Sequence, residues 1–267
     1  MYFSCCARRR RASSRNPNVP FVRRPALTRA VAGLALALAV APAHAIRPFV
    51  TDDARVVGER LAQLETWLFA KREYWTQTAL FAVGPTDWLE LTTGFAQGAT
   101  RDAPEREYSI TGGILQGKAL LRETRQGDWP GIAVAAGVLP STGEGFLRPK
   151  GVGAFVYGML TKSMRDDDLL IHANLGITGE HGHDTPPRTV TSGVGFQARV
   201  LGGFHAVGEI YRGDPYDPLF RSSATQLGFR HIFSDEVQID GTIGTTLSGV
   251  SETWVTVGIR LVSKPLW

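Results

Sequence analysis

The polar side chains of this 267-residue chain fall into two patterns. The first is clustered. His181-Gly182-His183-Asp184 brings two imidazoles and a carboxylate together, a donor set that suits a borderline cation. The spacing is short and a Pro-Pro pair follows, so the stretch reads as a loop, and neither a metal nor another cofactor is expected. His172 and Asn174 lie two residues apart. Hydrolytic chemistry there would need a nucleophilic Ser within hydrogen-bond reach of the histidine. No Ser stands close to His172 in sequence, and Ser192 falls on the opposite parity of its own segment. Glu65, Glu90 and Glu209 could form a paired-carboxylate site, but each lies on a different segment. Gly151-Val152-Gly153 is too short a signal for a phosphate loop, because no helix follows it.

The second pattern is dispersed. Glu65, Glu90, Lys118, Arg199, Glu209, Arg230, Asp240 and Arg260 come one or two per segment, in both signs. Their neighbours of the same parity are mostly Gly, Thr, Gln and Asn. The opposite parity is apolar. Charges spaced in this way suit a polar interior, where Glu65, Glu90 and Glu209 pair across a lumen with Arg199, Arg230 and Arg260. Together with His172 and Asn174 these are the candidates for setting what passes. No catalytic residue is expected.

Elements with a period of two must position these side chains. In the last segment Val255, Val257, Ile259 and Leu261 share one parity, and Trp254, Thr256, Gly258 and Arg260 share the other. The same alternation predicts strands over 61–71, 74–83, 88–97, 108–122, 131–139, 151–161, 169–178, 190–200, 204–212, 225–233, 237–245 and 254–262. Gly112-Gly113 predicts a register break in the fourth. The segments have the length of tilted membrane strands, and their links alternate crudely between short and long. Aromatic residues near strand ends (Trp67, Tyr74, Trp75, Trp88, Trp254) fit interfacial girdles. The fold expected is all-β, an antiparallel transmembrane β-barrel of about twelve strands. The last strand must pair with the first, which would set Arg260 near Glu65.

The first 45 residues read differently. Eight Arg and no acid precede the apolar run 30–40, and Ala43-His44-Ala45 is a small-x-small site. This is the pattern of a secretory signal peptide, cleaved near Ala45. Losing those eight Arg turns 29 basic against 25 acidic residues, net +4, into 21 against 25, net −4. Nucleic acid is therefore not an expected partner. Cys5 and Cys6 both lie in the leader, so the mature chain has no thiol. Past the leader, no apolar run is long enough for a membrane helix. Residues 46–60 read as a polar periplasmic lead-in to a barrel at 46–267.

Two stretches carry a resemblance. Arg47-Pro48-Phe49-Val50-Thr51-Asp52-Asp53-Ala54 with Gln63-Leu64-Glu65-Thr66-Trp67 is one. The end hairpin, from Gln226-Leu227-Gly228-Phe229-Arg230 to Gly258-Ile259-Arg260, is the other. Together they resemble the outer-membrane transporters of the "MetA-pathway of phenol degradation" family. Lys264-Pro265-Leu266 departs from an alternating end and places the end of the last strand near Ser263. The resemblance implies passage of small hydrophobic or aromatic compounds. The expectation is a Gram-negative outer-membrane channel with membrane lipid and a small-molecule solute as partners, inserted by the barrel-assembly machinery. A structural or ligand-binding barrel with a filled interior is the alternative, and a lipid hydrolase a further one.

Overall fold

In a computed structural model, described over residues 49–101, 107–127, 129–182 and 188–267, the chain forms one closed antiparallel sheet. The elements are β1 (Ala62–Lys71), β2 (Tyr74–Val83), β3 (Leu89–Thr100), β4 (Tyr108–Thr111), β5 (Ile114–Arg122), β6 (Gly131–Leu139) and β7 (Gly143–Glu144). They continue with β8 (Gly153–Met164), β9 (Leu169–Glu180), β10 (Arg188–Leu201), β11 (Phe204–Arg212), β12 (Ser223–Ile232), β13 (Val237–Thr246) and β14 (Thr253–Val262). No helix occurs among the described residues. β4 and β5 form one spanning strand in two pieces, and β7 is a short strip beside β4, so twelve strands make the wall. The expected leader, residues 1–45, and the His183-Asp184 part of the loop cluster lie outside the described residues.

The break in the fourth strand falls at the glycine pair. Gly113 has φ +131°, and a Cβ on Gly112 would sit 1.4 Å from Thr142 Oγ1. The loop carrying β7 therefore crosses directly over the break, an approach that only glycine permits. β14 closes the sheet on β1, with Glu65 opposite Arg260 and Leu64 opposite Leu261. Closure leaves no strand edge to pair with another chain. β14 ends at Val262, ahead of Pro265.

The two faces of the wall differ as the period requires. Along β14, Val255, Val257, Ile259 and Leu261 are exposed, while Trp254, Thr256, Gly258 and Arg260 are buried. β8 alternates in the same way from Gly153 to Thr161. Val194 and Ile210 on β10 and β11 continue the outer apolar surface, 58% and 61% exposed. An apolar belt around a barrel whose polar residues are turned inward is stable in hydrocarbon and costly in water.

Trp67 and Trp254 do not belong to an outer girdle. Parity turns both inward, and Trp254 is 3% exposed. Trp254 stacks on Phe69 at 5.8 Å, and Tyr211 lies 6.0 Å from Phe220. At that end, where the longer loops lie, the interior is therefore aromatic.

Candidate functional site

Residues 49–58 are not a lead-in outside the barrel. They run through its interior. Ala54 is fully buried, and Thr51, Asp53 and Val57 are at most 2% exposed. The chain leaves β1 at the short-turn end, where Arg60 N–H donates to Gly84 O (2.8 Å), and folds back inside. Ala54 joins the interior apolar cluster of Leu80, Ala133, Phe155, Tyr157 and Met159. The polar lead-in expectation failed because the segment has no strand or helix period. Its place depends on side chains that sequence scatters over the wall.

Those side chains are largely the dispersed candidates. Glu209 on β11 accepts two consecutive backbone N–H groups, from Val50 (2.9 Å) and Thr51 (2.7 Å), and a further bond from Gln226 Nε2 (2.6 Å). Asn174 on β9, with its amide turned to satisfy both groups, donates to Asp52 O (2.8 Å) and accepts from Asp52 N–H (2.7 Å). Ala54 N–H donates to Thr161 Oγ1 (2.8 Å), whose hydroxyl also meets His172 Nδ1 (3.0 Å). Val57 N–H donates to Glu90 Oε2 (2.8 Å). A buried backbone amide without a partner is costly, so each of these bonds matters to the seating of the segment.

Charge is matched as well. Lys118 Nζ lies 3.2 Å from Asp52 Oδ2 and 3.8 Å from Asp53 Oδ1. Tyr157 Oη donates to the same Asp52 oxygen (3.2 Å). Arg55 Nη2 donates to Asp167 Oδ2 (2.8 Å), and Ser163 Oγ donates to the other Asp167 oxygen. Asp167 sits in the turn joining β8 to β9, where Arg165, Asp166 and Asp167 all have φ between 55° and 64°. Left-handed backbone at three consecutive non-glycine residues is unfavourable, and the bonds from Arg55 and Ser163 help hold it. Phe49 lies under the guanidinium of Arg230 at 5.6 Å, within cation–π range. On β10, Gly193 leaves room for Thr51: a Cβ there would stand 2.2 Å from Thr51 Oγ1.

The other candidates serve the wall. Glu65 and Arg260 face each other across the seam and are bridged by Gln63, which donates to Glu65 (2.5 Å) and accepts from Arg260 Nε (2.6 Å). Arg230 donates to Gln197 (2.5 Å) and lies 4.0 Å from Asp240. Arg199 is not a lumen charge. It is exposed at the short-turn rim and pairs with Asp168 of the β8–β9 turn (3.1 Å), because β10 has run beyond the closed interior by that point. The expected pairing of Glu90 and Glu209 with arginines is also replaced: they accept hydrogen bonds from the backbone amides of 50, 51 and 57 and from the side chains of Thr92 and Gln226. Sequence reasoning missed Gln63, Thr161, Asp167 and Gly193. Gln63 and Thr161 share the inward parity and could have been found by it. Asp167 lies in a turn, where parity says nothing.

The loop between β11 and β12 enters from the opposite end. Tyr216 Oη donates to Gln116 Oε1 (3.0 Å), and Thr178 and Thr189 hydroxyls donate to Pro215 O (3.0 Å) and Pro218 O (2.8 Å). Between this loop and residues 52–57 a cavity of about 40 Å³ remains, lined by Glu65, Glu90, Gln116 and Lys118 among others. That volume holds about one water.

The chain belongs to the family described as "Uncharacterised conserved protein UCP029691", which matches residues 33–262. No curated protein matches it. Among solved structures it is similar to the COG4313 outer membrane channel from Pseudomonas putida F1 (TM-score 0.60, 9% identity, 84% of this chain and 100% of that one). It is also similar to the KdgM porin in complex with disordered oligogalacturonate (TM-score 0.54, 8% identity, 74% and 98%) and to the NanC porin (TM-score 0.52, 8% identity, 75% and 98%). At these identities the likeness is one of fold.

Proposed function

We propose that the protein is an outer-membrane channel for small solutes, held shut by residues 49–58. One observation carries this reading. The backbone amides of 50, 51, 54 and 57 are held by side chains of the wall, Glu209, Thr161 and Glu90, rather than by its strand backbones. The sheet is complete without it. The segment can leave without breaking a rung of the barrel, and it then uncovers the ring of Glu90, Lys118, His172, Asn174 and Glu209. Those side chains, with Glu65, Arg230, Asp240 and Arg260, set the charge seen by a passing solute. The aromatic layer of Phe69, Tyr211, Phe220 and Trp254 supports small hydrophobic or aromatic compounds as the solutes. The likeness of both chain ends to the MetA-pathway transporters supports the same class.

The apolar belt supports membrane lipid as the surrounding solvent, and the leader supports export with cleavage near Ala45 and insertion by the assembly machinery. No catalysis is proposed. The histidine a lipid hydrolase would use bonds a threonine that already accepts the Ala54 amide. The small residual cavity favours the second reading, a permanently filled barrel.

A reversible staple separates the two. An ideal Cβ on Gly195 would lie 3.6 Å from Thr51 Cβ, inside the disulfide range of about 3.5–4.5 Å. The mature chain carries no other cysteine. The Thr51→Cys/Gly195→Cys protein is expected to be silent in a planar bilayer when oxidised and to conduct after reduction. Equal conductance in both states, or no conductance from the unmodified protein under any condition, refutes the gated channel.

A further inference from the structure

A row of polar side chains crosses the outer face of the wall. Thr66 on β1, Gln77 on β2 and Gln97 on β3 share a face with the exposed Leu68 and Phe95, and therefore point outward. The glutamines are out of place there. Gln63, Gln116, Gln197, Gln226 and Gln238, on other strands or the other parity, are all buried toward the interior. Tyr108 on β4, 56% exposed, ends the row. Its members are bonded in series. Tyr108 Oη donates to Gln97 Oε1 (2.6 Å), and Gln97 Nε2 donates to Gln77 Oε1 (2.8 Å). Gln77 Nε2 donates to Thr66 Oγ1 (3.2 Å), whose own hydroxyl donates to Thr78 O (2.8 Å). A glutamine amide carries two N–H donors. The row spends one from each glutamine, and the second has no partner within the described chain.

A donor left unpaired in hydrocarbon is costly. Depth decides what can meet it. Trp75 and Tyr108, aromatic residues of the kind that mark an interface, stand between the glutamines and the loop end. The amides are thus on the hydrocarbon side, where a lipid offers acyl chain and no polar group. A second copy offers the same row. Gln77 and Gln97 are directly opposite in the β2–β3 ladder. A twofold axis along the membrane normal, passing between them, sets Gln77 of each copy against Gln97 of the other. Amides placed in this way both donate and accept. Ala70, Ala79 and Ala99 flank the pair on the same face. Small side chains let two walls approach closely enough to bond, as they do between membrane helices. The far side of the barrel instead carries bulky Leu175, Val194 and Ile210, each more than half exposed.

We infer that the outer face of β1 to β4 is a homodimer interface, closed by amide–amide hydrogen bonds between Gln77 and Gln97 of two copies. The inference rests on the barrel lying in a membrane and is independent of conductance.

The test uses the full mature chain, which has no cysteine of its own, folded into dilauroylphosphatidylcholine vesicles at low protein density. Ala79→Cys places a thiol beside the row, and Val194→Cys places one on the far side of the closed sheet. With a flexible bismaleimide, Ala79→Cys is expected to give a cross-linked dimer about tenfold more abundant than Val194→Cys gives. Adding Gln77→Leu/Gln97→Leu keeps the bulk and removes the amides, and should reduce the dimer about tenfold. Gln77→Ala serves where the double variant folds poorly. Folding is read from the shift in gel mobility on boiling. Equal dimer from the two thiol positions marks random collision and overturns the interface. A dimer unchanged by the leucines overturns the amide bonds. A folded protein with no dimer at Ala79→Cys leaves the row as a lipid contact and overturns the inference. Failure to give a heat-modifiable band in vesicles instead sinks the membrane barrel on which it rests.

Discussion

The closing hairpin β13–β14 and the segment at 49–58 lie in the same barrel and are held by different physics. The hairpin is defined by period. Every second residue faces outward, and its hydrogen bonds run backbone to backbone in register with β12 and β1. The segment has no period. Its backbone bonds to the wall go to single side chains that sequence separates by 33 to 159 residues. Breaking the hairpin should abolish the barrel. Breaking the segment's contacts should free the segment and leave the barrel standing.

The largest expected effect is on the hairpin. Val257 is 57% exposed on the outer face. Val257→Lys puts a charge in hydrocarbon at a cost of about 2–4 kcal/mol near the midplane. The heat-modifiable folded band should be strongly reduced. A normal yield of folded band would show that β14 does not face lipid.

The next effect is on the segment. Glu209→Ala leaves the amides of Val50 and Thr51 without their shared carboxylate, at about 1–3 kcal/mol for each buried donor left unmade. Trypsin should then cut after Arg55 about tenfold faster or more, with folded-band yield close to that of the unmodified protein. Loss of the folded band together with the faster cut would erase the distinction between the two regions.

The smallest effect concerns the β11–β12 loop. Loss of solvent around the loop, and then the neighbouring Asp214, push Asp217 up to about 6. Asp217 Oδ1 accepts the amides of Leu219 (3.0 Å) and Phe220 (3.2 Å). A raised carboxyl binds its proton more tightly in the folded loop. Its contribution to stability is therefore complete below the ordinary carboxylate range and is lost as pH rises through about 6. Asp217 is itself exposed to solvent, which screens the shift, so the effect is modest. Amide exchange at Leu219 and Phe220, compared with Asp217→Asn at each pH, should show relatively more protection at pH 5 than at pH 7.5. Matching profiles in the two proteins would remove the carboxyl from the account.

What could be read from the sequence follows the same division. The twelve wall strands, the Gly112-Gly113 break and the facing of Glu65 and Arg260 across the seam were legible. Parity and closure are local or global regularities that the chain must obey. Trp67 and Trp254 were misread because aromatic type was allowed to outweigh parity. Arg199 was misplaced because parity gives direction and says nothing about depth along the strand.

The sequence by itself determined a barrel with an apolar exterior, since a period of two fixes which side chains face out once the strands close. Only the tertiary structure decided what fills the barrel. Residues 49–58 carry no periodic signal, and their partners Glu90, Thr161, Asn174 and Glu209 come together only when strands distant in sequence are curved into one wall. A buried backbone amide needs a partner but does not specify which one, so the choice is made by geometry that local sequence does not encode.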